Sequence, residues 1–250
     1  MRRSVFLSCA AAVLAIIGPA DNAAAAVKTS HAGPAKVRDW STVVSPSAAG
    51  GFVMGDPGAR IKLVEYGSMT CPHCARFDAL GVPILIDKYV KTGEVSWEFR
   101  NYVRDALDLT AALIARCNGP RSFFPVTRTF FKEQPNWEAR VQNLPQARVK
   151  AVDDLPPKQK FAALANLAGL SQLAAARGLP PARSKQCLSN DGSINQLVKM
   201  TGNATTQYPD FKGTPTFVIN GAMVDLGPVT EAQVWPALES KIRAALGERH

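Results

Sequence analysis

The stretch Ile61-Lys62-Leu63-Val64-Glu65-Tyr66-Gly67-Ser68-Met69-Thr70-Cys71-Pro72-His73-Cys74 decides the fold. Residues 61–66 are dense in β-formers and read as a buried strand, which Gly67-Ser68 stops. From Pro72 an apolar pattern runs through Phe77, Leu80, Ile84, Leu85 and Tyr89, the reading of a helix. Proline suits a first helical turn, where its missing N–H has no intrahelical partner to lose. Pro83 is expected to kink or divide this helix, and Thr92-Gly93 to end it. Residues 95–102 alternate well enough to form a second strand. Strand, helix, strand is a βαβ unit, which normally makes a parallel pair.

Upstream, Asp56-Pro57-Gly58 reads as a turn and Phe52–Met54 as a short strand. Residues 27–50, rich in Ala, Ser, Gly and Pro, read as a flexible leader. Residues 1–26 have the three parts of a secretory signal peptide: Arg2 and Arg3, an uncharged apolar run over 5–17, and small residues at 23–26. The run is short for a spanning helix, which needs about 20 residues. An uncleaved anchor is the rival reading. Cys9 precedes most of the run, whereas a lipid-attachment cysteine would close it.

Downstream, residues 105–208 change character. Leu109, Leu113 and Ile114, then Phe123, Val126, Phe130 and Phe131, recur at helical spacing. Residues 162–176 favour helix, interrupted at Gly169, and Ile194, Leu197 and Val198 mark a last helix. Trp137 reads as core of this block. Strand character returns at Thr216–Ile219. Asn220-Gly221 is a strong hairpin signal, because both turn positions tolerate positive φ. Residues 222–226 are the partner strand. Residues 231–246 form a closing helix, with Thr230 as N-cap and Pro236 disturbing its first turns. The order divides the chain into 1–26, 27–50, a first α/β part at 51–104, a helical insertion at 105–208, and a second α/β part at 209–250.

The formal net charge is +9 over 250 residues. Lys and Arg are scattered, with no basic run interleaved with aromatics, so the charge reads as a soluble surface and not as a nucleic-acid site. With Cys9 inside the signal, four cysteines are left: Cys71, Cys74, Cys117 and Cys187. An even number in an exported chain points to disulfides. The short 71–74 spacing selects 71–74 with 117–187 among the three pairings. A structural 117–187 bridge would join the first helix of the insertion to a later one; a second redox pair or two free thiols is the alternative.

Cys71-Pro72-His73-Cys74 carries the chemistry. Two cysteines at this spacing close a small disulfide ring. At a helix N-terminus, Cys71 meets unsatisfied N–H groups and the positive end of the dipole. Those groups, and a nearby His73, favour the thiolate, which is the reactive species. Cys74 is expected one turn inward, with Cys71 the exposed sulfur. A purely structural bridge at this spacing and a copper or zinc site using His73 are the competing readings. Zinc usually takes a second close pair, and Cys117 and Cys187 supply none.

At these residues the chain resembles the DsbA-like branch of the thioredoxin superfamily. The resemblance covers residues 51–246 and rests on Cys71-Pro72-His73-Cys74, on Glu65 six residues earlier, on Gly213-Thr214-Pro215-Thr216 and on the helical block. It implies an α/β fold of thioredoxin type with an inserted helical domain. It implies Cys71 and Cys74 as the redox pair, Pro72 and His73 as their support, and Glu65 as the acid that shuttles a proton for Cys74. It implies a cis peptide before Pro215, with Thr214 offering its backbone to an extended substrate. It further implies a periplasmic enzyme that needs no cofactor, acts on reduced exported proteins and is reset by a membrane redox partner. Thr214 departs from the Val found before the cis-proline of DsbA itself and resembles the disulfide isomerases. Residues 27–50 look too short for the oligomerisation domain those isomerases carry, which favours a monomeric oxidase.

Overall fold

A computed structural model describes residues 38–247. The proposed signal segment and residues 27–37 lie outside the described residues. Strands β1 (Val44–Pro46), β2 (Phe52–Met54) and β3 (Ile61–Gly67) come first. They are followed by helices α1 (Pro72–Leu80) and α2 (Val82–Ile84), a π-helical turn Leu85–Val90 and strand β4 (Val95–Asn101). Eight helices then run in succession: α3 (Ala106–Arg116), α4 (Pro120–Lys132), α5 (Gln134–Gln142), α6 (Gln146–Asp153), α7 (Pro157–Ala168), α8 (Leu170–Ala175), α9 (Pro181–Leu188) and α10 (Asp191–Gln207). The chain returns through β5 (Thr216–Ile219), β6 (Ala222–Met223) and α11 (Val234–Leu246).

The six strands form one sheet in the order β1-β2-β4-β3-β5-β6. β3 and β4 pair in parallel, Glu65 opposite Phe99, as the βαβ reading requires. β5 adds antiparallel on the other side of β3, Glu65 opposite Phe217. Both faces are covered. Ile61, Leu63 and Glu65 alternate onto the main core with Phe77, Trp97, Phe99 and Phe217. Val64 and Tyr66 turn to the opposite face, against Ala204 of α10 and the rings of Tyr208 and Phe211. The architecture is a thioredoxin-type sheet with a helical domain inserted between β4 and β5.

Three local expectations are corrected. The irregular leader ends before residue 50: Asp39 caps a 3₁₀ turn at Trp40–Thr42, and β1 pairs antiparallel with β2. Three residues, Val44-Ser45-Pro46, are too few to leave a periodic signal, and the partner strand supplies the order. The strand expected over 222–226 stops at Met223, since β5 offers it only two paired positions. The closing helix begins as a 3₁₀ turn, Glu231–Gln233. There the Thr230 N–H donates to Gln233 Oε1 at 3.0 Å.

Pro83 divides the first helix as expected. The break has a steric partner: a Cβ on Gly81 would lie 2.6 Å from the Phe77 ring. Gly169 takes φ 73°, a left-handed conformation that ends α7 and starts α8. Trp137 is buried and donates to the Phe130 carbonyl at 2.8 Å, so its polar edge is satisfied inside the helical core. Cys117, at the end of α3, is bonded to Cys187 of α9, with Cα atoms 5.7 Å apart.

Candidate active site

Between β3 and α1 the chain turns through Ser68, Met69 and Thr70. This loop is nearly buried, so its polar groups need partners. Asp108 of α3 supplies them. Its carboxylate accepts from the Met69 N–H at 2.8 Å and the Ser68 hydroxyl at 2.6 Å. Arg104 spans the same loop, donating to Ser68 Oγ at 3.0 Å and Thr70 Oγ1 at 2.9 Å. Burial raises the Asp108 carboxyl to about 7. Gln134, at the start of α5, donates to the Met69 and Cys71 carbonyls at 2.7 and 3.1 Å. The helical domain therefore holds the loop that delivers Cys71.

Cys71 is the N-cap of α1, with extended backbone, and Pro72 occupies the first turn. Both cysteines are free thiols. The expectation of an exposed Cys71 is corrected: the residue keeps 2% of its exposure and Cys74 keeps none. The Thr214–Pro215 peptide is cis, and the Cys71 thiol donates to the Thr214 carbonyl at 3.1 Å. Gln134 binds the Cys71 backbone from the helical-domain side. These two flanks, separated by 80 residues or more in sequence from each other, account for the lost exposure.

The two sulfurs are driven apart electrostatically. Cys71 falls from 9.0 to about 5. The hydrogen bond from the Cys74 thiol is the largest cause; burial opposes it, and the Thr214 side chain and the N–H groups of Cys74 and His73 assist. The Thr214 hydroxyl is buried and forms no hydrogen bond among the described residues. Cys74 is pushed well above the usual thiol value by burial and by its bond to Cys71.

Glu65 lies on the core face of β3 and is 1% exposed. Burial pushes its carboxyl well above the usual range, and the charge of Asp78 adds to this. Among the described residues its carboxylate accepts one hydrogen bond, from Trp97 Nε1 at 3.2 Å. The His73 ring faces Glu231, with Nδ1 2.7 Å from Oε1, and is mostly exposed. What reaches the Cys71 sulfur from His73 is its backbone N–H and not the imidazole. A cavity of about 560 Å³ opens beside the pair, lined by His73, Thr214, Pro215, Phe217 and Leu226. Among the described residues, no three of His, Cys, Asp and Glu gather as a metal-holding group.

Sequence reasoning missed Gln134, Asp108, Arg104, Trp97 and Asp78. Only Asp78 had a local signal, since four residues after Cys74 place it on the same helix face. The others act across 30 residues or more, where spacing says nothing.

A family model described as "Thioredoxin" matches residues 47–240. A Rickettsia bellii protein named "Putative protein-disulfide oxidoreductase" is 32% identical over 175 residues, covering 70% of this chain and 58% of that one. The chain thus spans under two thirds of that relative's length. The crystal structure of protein-disulfide isomerase from Novosphingobium aromaticivorans superposes with a TM-score of 0.70 at 32% identity, covering 76% of this chain and 96% of its own. The chain belongs to the thioredoxin family. The Wolbachia pipientis alpha-DsbA1 structure shares the fold, with a TM-score of 0.59 at 22% identity over 78% of this chain and 90% of its own. Within this thioredoxin frame, the Cys71–Cys74 motif, the buried acid and the cis-proline loop lie on three separate elements, α1, β3 and the approach to β5. The sheet brings them together.

Proposed function

We propose that the chain is a periplasmic protein-thiol oxidase that passes the Cys71–Cys74 disulfide to reduced exported proteins. The observation that carries this reading is the split between the two sulfurs, one lowered to about 5 and one raised. A substrate thiolate attacks Sγ of Cys71. A bond forms between the two sulfurs, the 71–74 bond breaks, and Cys74 leaves with the electron pair and takes a proton. Glu65, buried and therefore protonated more readily than a surface acid, is the group we assign to supply that proton. A second substrate thiolate then attacks the first substrate sulfur. The substrate disulfide forms, and Cys71 departs as a thiolate that its surroundings stabilise. Two electrons move from substrate to enzyme. A good leaving group and a stabilised reduced state both favour this direction.

In the disulfide form that the substrate attacks, Sγ of Cys71 carries no hydrogen, so the Thr214 carbonyl no longer accepts from it as it does in the reduced protein. That carbonyl and the backbone before the cis-proline are then free to pair with the substrate chain, a form of strand addition. In this reading the enzyme works as a monomer, without cofactor, and a membrane redox partner restores its disulfide. Isomerase or reductase activity is the second reading, favoured by Thr214 and by the name of the Novosphingobium relative.

Equilibrating the protein with reduced and oxidised glutathione separates the readings. An oxidase gives up its disulfide at mild glutathione ratios and oxidises a reduced dithiol peptide stoichiometrically. A pair that stays oxidised under the same ratios, with no peptide oxidation, overturns the proposed direction.

A further inference from the structure

On the other side of α1 from the cis-proline loop lies a second cavity, of about 790 Å³. It opens between α1 and α4 and reaches Pro72 and Gln134, which adjoin Cys71. Its walls carry four cations: Arg76 on α1, Arg128 and Lys132 on α4, and Arg177 after α8. They also carry two acids, Asp78 and Glu231, and both are engaged. Asp78 meets Arg128 at 3.5 Å, and Glu231 meets His73 at 2.7 Å. Arg76, Lys132 and Arg177 form no ion pair among the described residues; Arg177 donates to the Thr129 hydroxyl at 2.7 Å. All three are exposed. The concavity therefore keeps three cations without an acidic counterpart, over a floor that includes Ala75, Ala79 and Phe131.

Glu231 lines this cavity and also the one beside Thr214 and Pro215. The His73–Glu231 pair thus stands as a low ridge between them. A chain lying on the cis-proline loop with its cysteine at Cys71 has a path over Pro72 into the cationic hollow.

We propose that this cavity is a docking site for acidic segments of the reduced exported substrates, so that Asp- and Glu-rich sequence flanking a cysteine is bound between α1 and α4. The inference rests on the oxidase reading and names its substrate class. Opposite charges across a partly enclosed surface steer encounter and fix register, and the effect weakens as salt shortens the screening length.

The test uses the oxidised full-length protein and two dithiol peptides that differ only in flanks of four Glu or four Lys. The acidic peptide is expected to be oxidised about tenfold faster at low salt, with the difference shrinking as salt rises. The double reversal Lys132→Glu with Arg177→Glu is expected to invert the preference. A misfolded variant slows both peptides and cannot invert their ratio. Reversing Lys185 and Lys199, exposed cations elsewhere, makes the same change in net charge and is expected to leave the preference in place. Equal rates for the two peptides overturn the proposal, as does equal inversion by the Lys185 and Lys199 reversal, which would assign the effect to overall charge. Oxidation of dithiothreitol by the wild-type protein separates the two levels: if it fails, the oxidase reading fails; if it proceeds without peptide preference, only the docking site falls.

Discussion

The chain carries two cysteine pairs in contrasting settings. Cys117 and Cys187 are 70 residues apart in sequence, close a loop within the helical domain, and are disulfide-bonded. Cys71 and Cys74 share one helical turn, are free thiols, and sit where a sheet, a helix start and a cis-proline loop converge. The first pair bridges elements that already pack together, α3 and α9. The second closes a ring too small to restrain the chain, so its redox state is left to its surroundings. Those surroundings treat the two sulfurs unequally. What distinguishes the stapling pair from the pair we propose to be reactive is loop length and electrostatic asymmetry, and the motif pair is also the more deeply buried.

The largest expected effect comes from breaking the reactive pair. Cys71→Ser is expected to abolish dithiol oxidation, while Cys74→Ser accumulates substrate-linked mixed disulfides through Cys71, read by mass spectrometry of the trapped adduct. Trapping through any other cysteine would remove the asymmetry from the comparison. Breaking the other pair is expected to act on stability instead. Replacing both Cys117 and Cys187 by Ser releases a long loop and removes about 4 kcal/mol on the chain-entropy account. That lowers Tm by about 10 °C, with dithiol oxidation retained. Loss of exchange in a still-folded variant would make the second pair redox-active too.

A finer cut sharpens the asymmetry. Thr214→Val removes the side-chain hydroxyl that helps to lower Cys71 but keeps the backbone carbonyl. A hydrogen bond to a charged group is worth about 1.5 kcal/mol, so the Cys71 titration is expected to move up by about one pH unit. An unchanged titration would leave the Cys74 thiol and the helix N–H groups as the whole cause.

Much of this was legible in the sequence because it is local. The Cys71 motif, the break at Pro83, the Asn220-Gly221 hairpin and the left-handed Gly169 all follow from backbone rules that act within a few residues. Asn220 and Gly221 do take φ of 49° and 86°. Glu65 came only through the family resemblance, and its near-total burial depends on Phe99 and Phe217 in strands distant along the chain. The same holds for Cys71. Its position at a helix start was readable; its enclosure by Thr214 and Gln134 was not, because nothing in the spacing of either residue points to the other. Strand β1 was hidden for a different reason: Val44-Ser45-Pro46 is too short to give a pattern, and pairing with β2 orders it.

The asymmetry also sets a pH dependence. Cys71 has a folded value of about 5 against 9.0 without the fold's influence. Its contribution to the reduced protein's stability is therefore fully present above about pH 9 and is lost as pH falls through about 5. The most direct test is a thiolate titration of the reduced protein, followed by ultraviolet absorbance and by the rate of Cys71 alkylation. The account expects a single midpoint near 5 assigned to Cys71, with Cys74 still protonated. A midpoint near 9, where an unassisted thiol titrates, would contradict it.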